Sequence, residues 1–229
     1  RAADLGADLV LFPEFSPGPV RAHDAFYDAE PALAEIAALR GVNVVWSRTE
    51  RCDDGRNRLC VYVQGRTGAR LLRYERTHPA TIPAKEDGEL TWPGEVFGLV
   101  EVDGIPMGIV VCSEMWTPEV ARIVALRGAE VILSPTANMV PNAERQQLQI
   151  RARALDNQRF VACINRAGEE AELHYCGNSL IAGPDGEVLG RLGDAAGSLV
   201  VDIDLSRIDA SRAHQDYLQD LRPMPETIA

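Results

Sequence analysis

Short runs of apolar, mostly β-branched residues recur along the chain and alternate with segments that have the periodicity of helices. Strands are predicted at 8–12, 42–47, 59–65, 69–75, 96–102, 105–112, 129–135, 159–165, 177–183, 186–192 and 198–204. Helices are predicted at 30–40, 117–126 and 142–158, with a short one beginning near 205. Strands that alternate with helices, together with hairpins, indicate an α/β fold with mixed sheets. In such folds the catalytic groups lie at strand ends and in the loops that follow.

The predicted helices carry recognisable start signals. Pro31 falls in the first turn of the first helix, and Thr117 has the position of an N-cap ahead of a proline and an acid. Leu148, Ala152 and Leu155 share one face of the third helix, which predicts an apolar face there.

The 229 residues, 46% of them hydrophobic, fit one globular domain over 1–229 with a sizeable core. The first residues have the pattern of a helix end, and Gly6 then marks a turn before a strand. Because domains seldom begin inside a helix, we expect a first strand and part of the first helix upstream of this sequence.

Composition argues against several classes of partner. The formal net charge is −11 without a clustered basic face, so we expect neither nucleic acid nor an anionic membrane as a partner. No apolar run approaches the roughly 18 residues of a membrane span. Five cysteines without metal-ligand spacing predict no metal site and a reducing, cytoplasmic location.

The segment "VVCSEMWTPE" places Cys112 where a buried strand ends and a helix is about to begin. A buried cysteine often serves packing alone. Glu14 stands in a similar place, because "LVLFPEF" puts it directly after an early strand and a proline. A carboxylate at that position indicates either a structural ion pair or a general base, and the residues alone leave both open.

Taken in order, these motifs resemble the nitrilase, or carbon–nitrogen hydrolase, superfamily. Its "PE" motif is matched by Pro13-Glu14, and its nucleophile motif by Cys112, Glu114 and Pro118-Glu119. "RARALDNQRFVACINRAG" and "GNSLIAGPDGEVLG" are similar to the later segments of the family. The resemblance covers almost the whole chain and implies a four-layer αββα sandwich that commonly forms homodimers.

The resemblance also implies a chemistry that uses no cofactor. Cys112 would attack the carbon of a small amide or N-carbamoyl compound, release ammonia or an amine, and leave a thioester for water to hydrolyse. Glu14 would act as the base, and the backbone N–H of Ser113 would help to stabilise the oxyanion. Amides are favoured over nitriles because "CSE" replaces the "CWE" of true nitrilases.

The chain departs from the family at its cation. The family lysine lies in a "YxKxH" context, and "YERTH" places Arg76 at that position. Lys85, the one lysine in the sequence, lies nine residues further on in an unrelated context. Guanidinium carries a permanent charge but cannot exchange a proton near neutral pH. Three outcomes stay open: Arg76 performs the role of the lysine, Lys85 does so, or the protein is a catalytically impaired binding or scaffold protein.

Three further residues are candidates with competing interpretations. Glu89, or less favourably Glu86, matches the second glutamate of the family, but a solvated acidic loop explains either equally well. Trp116 is a candidate wall of the substrate pocket, with packing as the alternative. Asn138 follows "SPTA", a stretch that faces the pocket in relatives, and is a candidate substrate contact.

Overall fold

A computed structural model describes residues 2–18, 28–80, 92–170 and 172–222. The strands are β1 (Leu9–Leu11), β2 (Asn43–Arg51), β3 (Asn57–Gln64), β4 (Arg70–Glu75), β5 (Gly98–Val102), β6 (Ile105–Ile109), β7 (Val131–Thr136), β8 (Phe160–Asn165), β9 (Ala167–Glu170), β10 (Leu173–Cys176), β11 (Leu180–Ala182) and β12 (Val188–Arg191). The helices are α1 (Glu30–Arg40), α2 (Pro118–Leu126), α3 (Ala143–Asn157) and α4 (Ser206–His214), with 3₁₀ turns at Ala3–Leu5 and Cys112–Trp116.

Two mixed sheets form the centre of the molecule. The first has the order β1-β2-β3-β4, in which β1 and β2 are parallel and the other pairs antiparallel. The second has the order β12-β11-β8-β7-β6-β5, with the parallel pairs β6–β7 and β7–β8 at its centre. A two-stranded hairpin of β9 and β10 follows β8. The α/β class with mixed sheets is therefore confirmed.

Side chains along each strand point alternately to the two faces of its sheet. One face of each sheet lies toward the middle of the molecule, and the other packs against a helix. On β2, Val45 packs with Ile109 and Leu133 of the second sheet, in a core between the two sheets. Its neighbours Val44 and Trp46 instead pack with α1 on the outer face. Helices α2 and α3 cover the outer face of the second sheet. These layers form the predicted four-layer αββα sandwich.

Close packing of α2 on β6 depends on a glycine. A Cβ built at Gly108 would lie 2.8 Å from Cγ2 and 2.9 Å from Cβ of Val124, nearer than side-chain carbons approach. The missing side chain therefore allows α2 to lie directly over the strand that leads to Cys112.

Two sequence predictions were wrong. No strand occurs at 198–204 among the described residues; residues 198–203 instead line, with β1, an apolar cavity of about 550 Å³. The predicted apolar face of α3 points to solvent, since Leu148 is 71% and Leu155 41% exposed. The buried face of α3 carries Ile150 and Ala154, together with Gln146 and Arg153, which bond residues more than 30 positions away.

Candidate active site

The thiol of Cys112 lies where the chain leaves the second sheet. Val110 and Val111 continue β6 as fully buried residues, and Cys112 then opens the 3₁₀ turn that leads into α2. Its φ of +48° is in the left-handed region, which residues with a side chain seldom adopt. Such backbone conformations persist where surrounding structure holds them, often at functional sites.

Glu14 comes from the first sheet and faces the same region. β1 ends before Pro13, and the backbone N–H of Glu14 donates to the carbonyl of Thr136 at the end of β7, at 3.3 Å. The next amide, of Phe15, donates to Oγ of Ser47 on β2, at 2.9 Å. The chain after β1 is thus fixed to both sheets, and Glu14 is only 2% exposed.

Arg76 follows β4 and supplies the cation of the cluster. Its Nη1 donates to Oε1 of Glu14 at 3.2 Å, and its Nη2 donates to Oγ of Ser113. Its Nε donates to the carbonyl of His78 at 3.1 Å. With 7% of the Arg76 side chain and 2% of the Glu14 side chain exposed, the two form a buried ion pair. Ser113 is buried beside the nucleophile candidate and contacts the guanidinium through its hydroxyl.

Asn138 follows β7 and lies beside the thiol. The Sγ of Cys112 lies 3.6 Å from Oδ1 of Asn138, within the range of weak sulfur hydrogen bonds. Asn138 is 6% exposed. The structure therefore brings together Glu14, Arg76, Cys112, Ser113 and Asn138, which come from the ends of strands in both sheets.

Glu114 ties the Arg76 segment to the turn at Cys112. Its Oε1 accepts from the hydroxyl of Tyr74 at 2.7 Å, from the backbone N–H and the hydroxyl of Thr77, both at 2.8 Å, and from the N–H of His78 at 3.1 Å. Its Oε2 accepts from the N–H of Val111 at 2.7 Å. The sequence identified Glu114 as a motif residue, but nothing in its spacing indicates that it joins these two segments.

The cluster changes the pKa values of its acids. Burial raises the pKa of Glu14 above 4.5, although the charge of Arg76 and a hydrogen bond from Cys112 act in the opposite direction. Burial, reinforced by the Glu14 carboxylate, raises the pKa of the Cys112 thiol well above 9.0. Arg76 lowers the thiol pKa but is outweighed. At neutral pH the resting site therefore holds a thiol rather than a thiolate.

The remaining candidates lie apart from this cluster or outside the described residues. Trp116 is 37% exposed on the turn after Cys112, where the guanidinium of Arg145 lies 5.5 Å from its ring centroid. Glu89, Glu86 and Lys85 fall in 81–91, outside the described residues. Within the described ranges, no group of three or more His, Cys, Asp or Glu side chains is placed to hold a metal ion. No helix in those ranges is long and apolar enough to cross a membrane.

Gln146 is a part of the site that sequence reasoning missed. It lies in the first turn of α3, is 2% exposed and accepts from Nδ2 of Asn138 at 2.9 Å. A glutamine in a helix of polar composition gives no sign of such a contact. The one available signal is its position four residues before Ile150 on the buried face of α3.

The layered fold and a thiol, a carboxylate and a guanidinium at its strand ends define a class of hydrolase. A family model described as carbon-nitrogen hydrolase matches residues 1–213, and the chain belongs to this family, within the nitrilase superfamily. It is therefore an enzyme of the carbon–nitrogen hydrolase type.

Relatives and solved structures agree with this membership. A protein named hydrolase in the pqqF 5′ region, from Pseudomonas protegens, is 37% identical over 95% of this chain and 79% of its own. The human omega-amidase NIT2 is 28% identical over 90% of this chain and 80% of its own. The amidase from Nesterenkonia sp. AN1 superposes with a TM-score of 0.84 at 29% identity, over 97% of this chain and 86% of that one. That structure is a glutamate-to-glutamine variant in which acrylamide has added to the active site cysteine.

Proposed function

We propose that the chain hydrolyses the C–N bond of small amides or N-carbamoyl compounds through a thioester on Cys112. The observation that carries the proposal is the buried contact of a carboxylate, a guanidinium and a thiol from three separate strand ends. Two relatives named as amidases, and an amidase structure with fluoroacetamide-derived acetamide on its active site cysteine, support the choice of amides.

Acylation would begin with proton transfer from the Cys112 thiol to the Glu14 carboxylate as Sγ attacks the carbonyl carbon. The raised pKa of Glu14 suits this transfer, because a more basic carboxylate takes the proton more readily. The developing oxyanion is stabilised by the Arg76 guanidinium and the backbone N–H of Ser113. Protonated Glu14 then gives its proton to the nitrogen, the C–N bond breaks, and ammonia or an amine leaves.

Deacylation reverses the roles. Glu14 accepts a proton from a water molecule as its oxygen attacks the thioester carbon, and the same donors stabilise the second oxyanion. Collapse of that intermediate breaks the C–S bond, and Glu14 returns the proton to Sγ. The products are a carboxylic acid, or a carbamic acid when the substrate is an N-carbamoyl compound, and the resting thiol.

Arg76 also gives a specific reason to keep the impaired alternative. Its Nη1 donates to Glu14 at 3.2 Å, so part of its hydrogen-bonding capacity is directed to the base. A permanently charged guanidinium cannot share a proton with that carboxylate. We therefore treat a binding or scaffold role without turnover as the second candidate.

The first experiment measures ammonia release from acetamide, propionamide, benzamide, N-carbamoylglycine and propionitrile. The parent protein is compared with Cys112→Ala, which lacks the nucleophile, and with Arg76→Lys. We expect the parent to release ammonia from an amide or carbamoyl compound and Cys112→Ala to lose roughly 10³-fold or more of that rate. Activity in Arg76→Lys alone would favour the impaired alternative. Equal rates in the parent and Cys112→Ala would contradict the proposed function.

Association and location also remain proposals. We propose a homodimer or higher homo-oligomer that covers the exposed leucines of α2 and α3, at Leu126, Leu148 and Leu155. Light scattering after size exclusion tests this, with Leu148→Glu expected to reduce the mass. The cytoplasm is the proposed location because all five cysteines are unpaired.

A further inference from the structure

A buried chain of amide groups leads from the backbone near β11 to the thiol of Cys112. Its first member is Gln146, whose Nε2 donates to the carbonyls of Gly177 at 3.2 Å and Asn178 at 3.0 Å. Carbonyl oxygens only accept hydrogen bonds, so the nitrogen of the Gln146 amide must face them. Its Oε1 therefore points the other way.

The second member is Asn138. Because Oε1 of Gln146 is an acceptor, the group that faces it at 2.9 Å must be Nδ2 of Asn138. The other end of the same amide, Oδ1, then faces Sγ of Cys112 at 3.6 Å. Asn165 fixes the backbone of Asn138, since it accepts from its N–H at 2.7 Å and donates to its carbonyl at 3.1 Å. Two backbone carbonyls thus determine that an acceptor, and not a donor, lies beside the thiol.

The groups around Sγ consequently have complementary polarity. Arg76 offers donors, which suit an oxyanion, whereas Oδ1 of Asn138 offers an acceptor, which suits an N–H. An acceptor 3.6 Å from Sγ can receive an N–H of the nitrogen on the carbon that Sγ attacks. An ester of the same acid carries no N–H at this place.

We propose that Gln146 is a positioning residue that holds Oδ1 of Asn138 as the acceptor for an N–H of the scissile amide, so that the site selects carboxamides over esters of the same acyl group. The inference rests on the proposed function. One N–H of the leaving nitrogen donates to Oδ1, and the lone pair of that nitrogen is left to take the proton of Glu14. No co-reactant is needed.

The test compares kcat/KM for the panel amide that is hydrolysed fastest with kcat/KM for the methyl ester of the same acid. Gln146→Met removes the amide group while it keeps an unbranched side chain of similar length. Gln147→Met is the matched control, because Gln147 is the next residue on α3 and bonds the side chain of Asn178 at 3.1 Å. The amide-to-ester ratio of kcat/KM in each variant is compared with the same ratio in the parent. This comparison removes the effect of the intrinsic reactivity of esters and of any general change in the reactivity of the thiol.

We expect Gln146→Met to lower kcat/KM for the amide by about 10- to 100-fold and for the ester by less than about 3-fold. Gln147→Met should leave both values unchanged. Equal losses for amide and ester would overturn the inference, because they would show a structural role for Gln146 alone. An unchanged ratio without any loss would overturn it as well.

A second variant covers the case in which Gln146→Met does not fold. Gln146→Leu also removes the acceptor that faces Nδ2 of Asn138, with a different side-chain shape, so the same shift in ratio is expected. The experiment distinguishes failure of the proposed hydrolase function from failure of the proposed role of Gln146. If the parent hydrolyses no amide of the panel faster than Cys112→Ala does, the proposed function fails first. If the parent is active through Cys112 and the ratio does not move, only the role of Gln146 fails.

Discussion

Removal of the guanidinium of Arg76 should leave a buried carboxylate without its cation. We consider Arg76→Met, which keeps an unbranched side chain and removes the charge and three donated hydrogen bonds. Glu14 then remains 2% exposed among strands of both sheets. A buried charge without a partner is among the most costly features that a fold can contain.

The expected magnitude follows from the geometry. At 3.2 Å and an effective dielectric constant of about 20, the attraction between Arg76 and Glu14 is about 5 kcal/mol. Removal of one partner of a buried pair typically destabilises a protein by about 3–5 kcal/mol. We therefore expect Arg76→Met to lower the free energy of unfolding by about 3–5 kcal/mol at pH 8, where an unpaired Glu14 pays the largest cost of ionisation.

The loss should depend on pH in a defined direction. The pKa of Glu14 is already raised above 4.5, and loss of Arg76 removes an interaction that lowers it, so it rises further. Between the unfolded pKa and the raised folded pKa, the folded state holds a proton that the unfolded state releases. The stability of the variant therefore falls as the pH rises through this window, by at most about 1.4 kcal/mol per pH unit.

Urea unfolding followed by circular dichroism at pH 5, 6, 7 and 8 measures both effects. The control is the double variant Glu14→Gln/Arg76→Met, which contains neither charge and should recover most of the lost stability. Single-variant stability equal to that of the parent at pH 8 would refute the buried ion pair. A loss of the same size at pH 5 and pH 8 would refute the assignment of the cost to an ionised Glu14.

Three further predictions concern activity and the thiol. Glu114→Gln places an amide nitrogen against N–H donors, so the free energy of unfolding should fall by about 2–4 kcal/mol. An unchanged melting temperature would contradict this. On the acid side of its pH profile, kcat/KM should fall at a pH above 4.5, because Glu14 has a raised pKa and must lose its proton to act as the base. A fall at or below pH 4.5 would exclude Glu14 as the base. Alkylation of Cys112 by iodoacetamide should still accelerate above pH 9, whereas a plateau below about 8.5 would show a resting thiolate.

Sequence patterns predicted the elements that depend on local signals. Apolar runs and turn residues located β1 to β8, β11 and β12, but not the hairpin of β9 and β10, and the proline and capping pattern before residue 119 located α2. Glu14 and Cys112 could be selected because strand-end positions are readable along the chain. These features need only neighbours in sequence, which the chain itself provides.

Features that depend on distant neighbours could not be predicted in this way. On α3 the apolar Leu148 faces solvent. The polar Gln146 and Arg153 lie on the buried face, where hydrogen bonds to residues more than 30 positions away, or in the loop after β7, offset the cost of burying them. The contact of Arg76 with Ser113 joins residues 37 positions apart. The orientation of the Asn138 amide is decided by two backbone carbonyls near β11, which no periodicity encodes.

The single carboxylate of Glu114 also has a consequence for motion. The amides of Thr77 and His78 and that of Val111 share this one acceptor group, although 34 or 33 residues separate them along the chain. Opening of either segment leaves the carboxylate buried with fewer donors, so the two segments should open as one cooperative unit. Hydrogen exchange at these three amides should then show similar protection, and Thr77 and His78 should not exchange independently of the turn at Cys112.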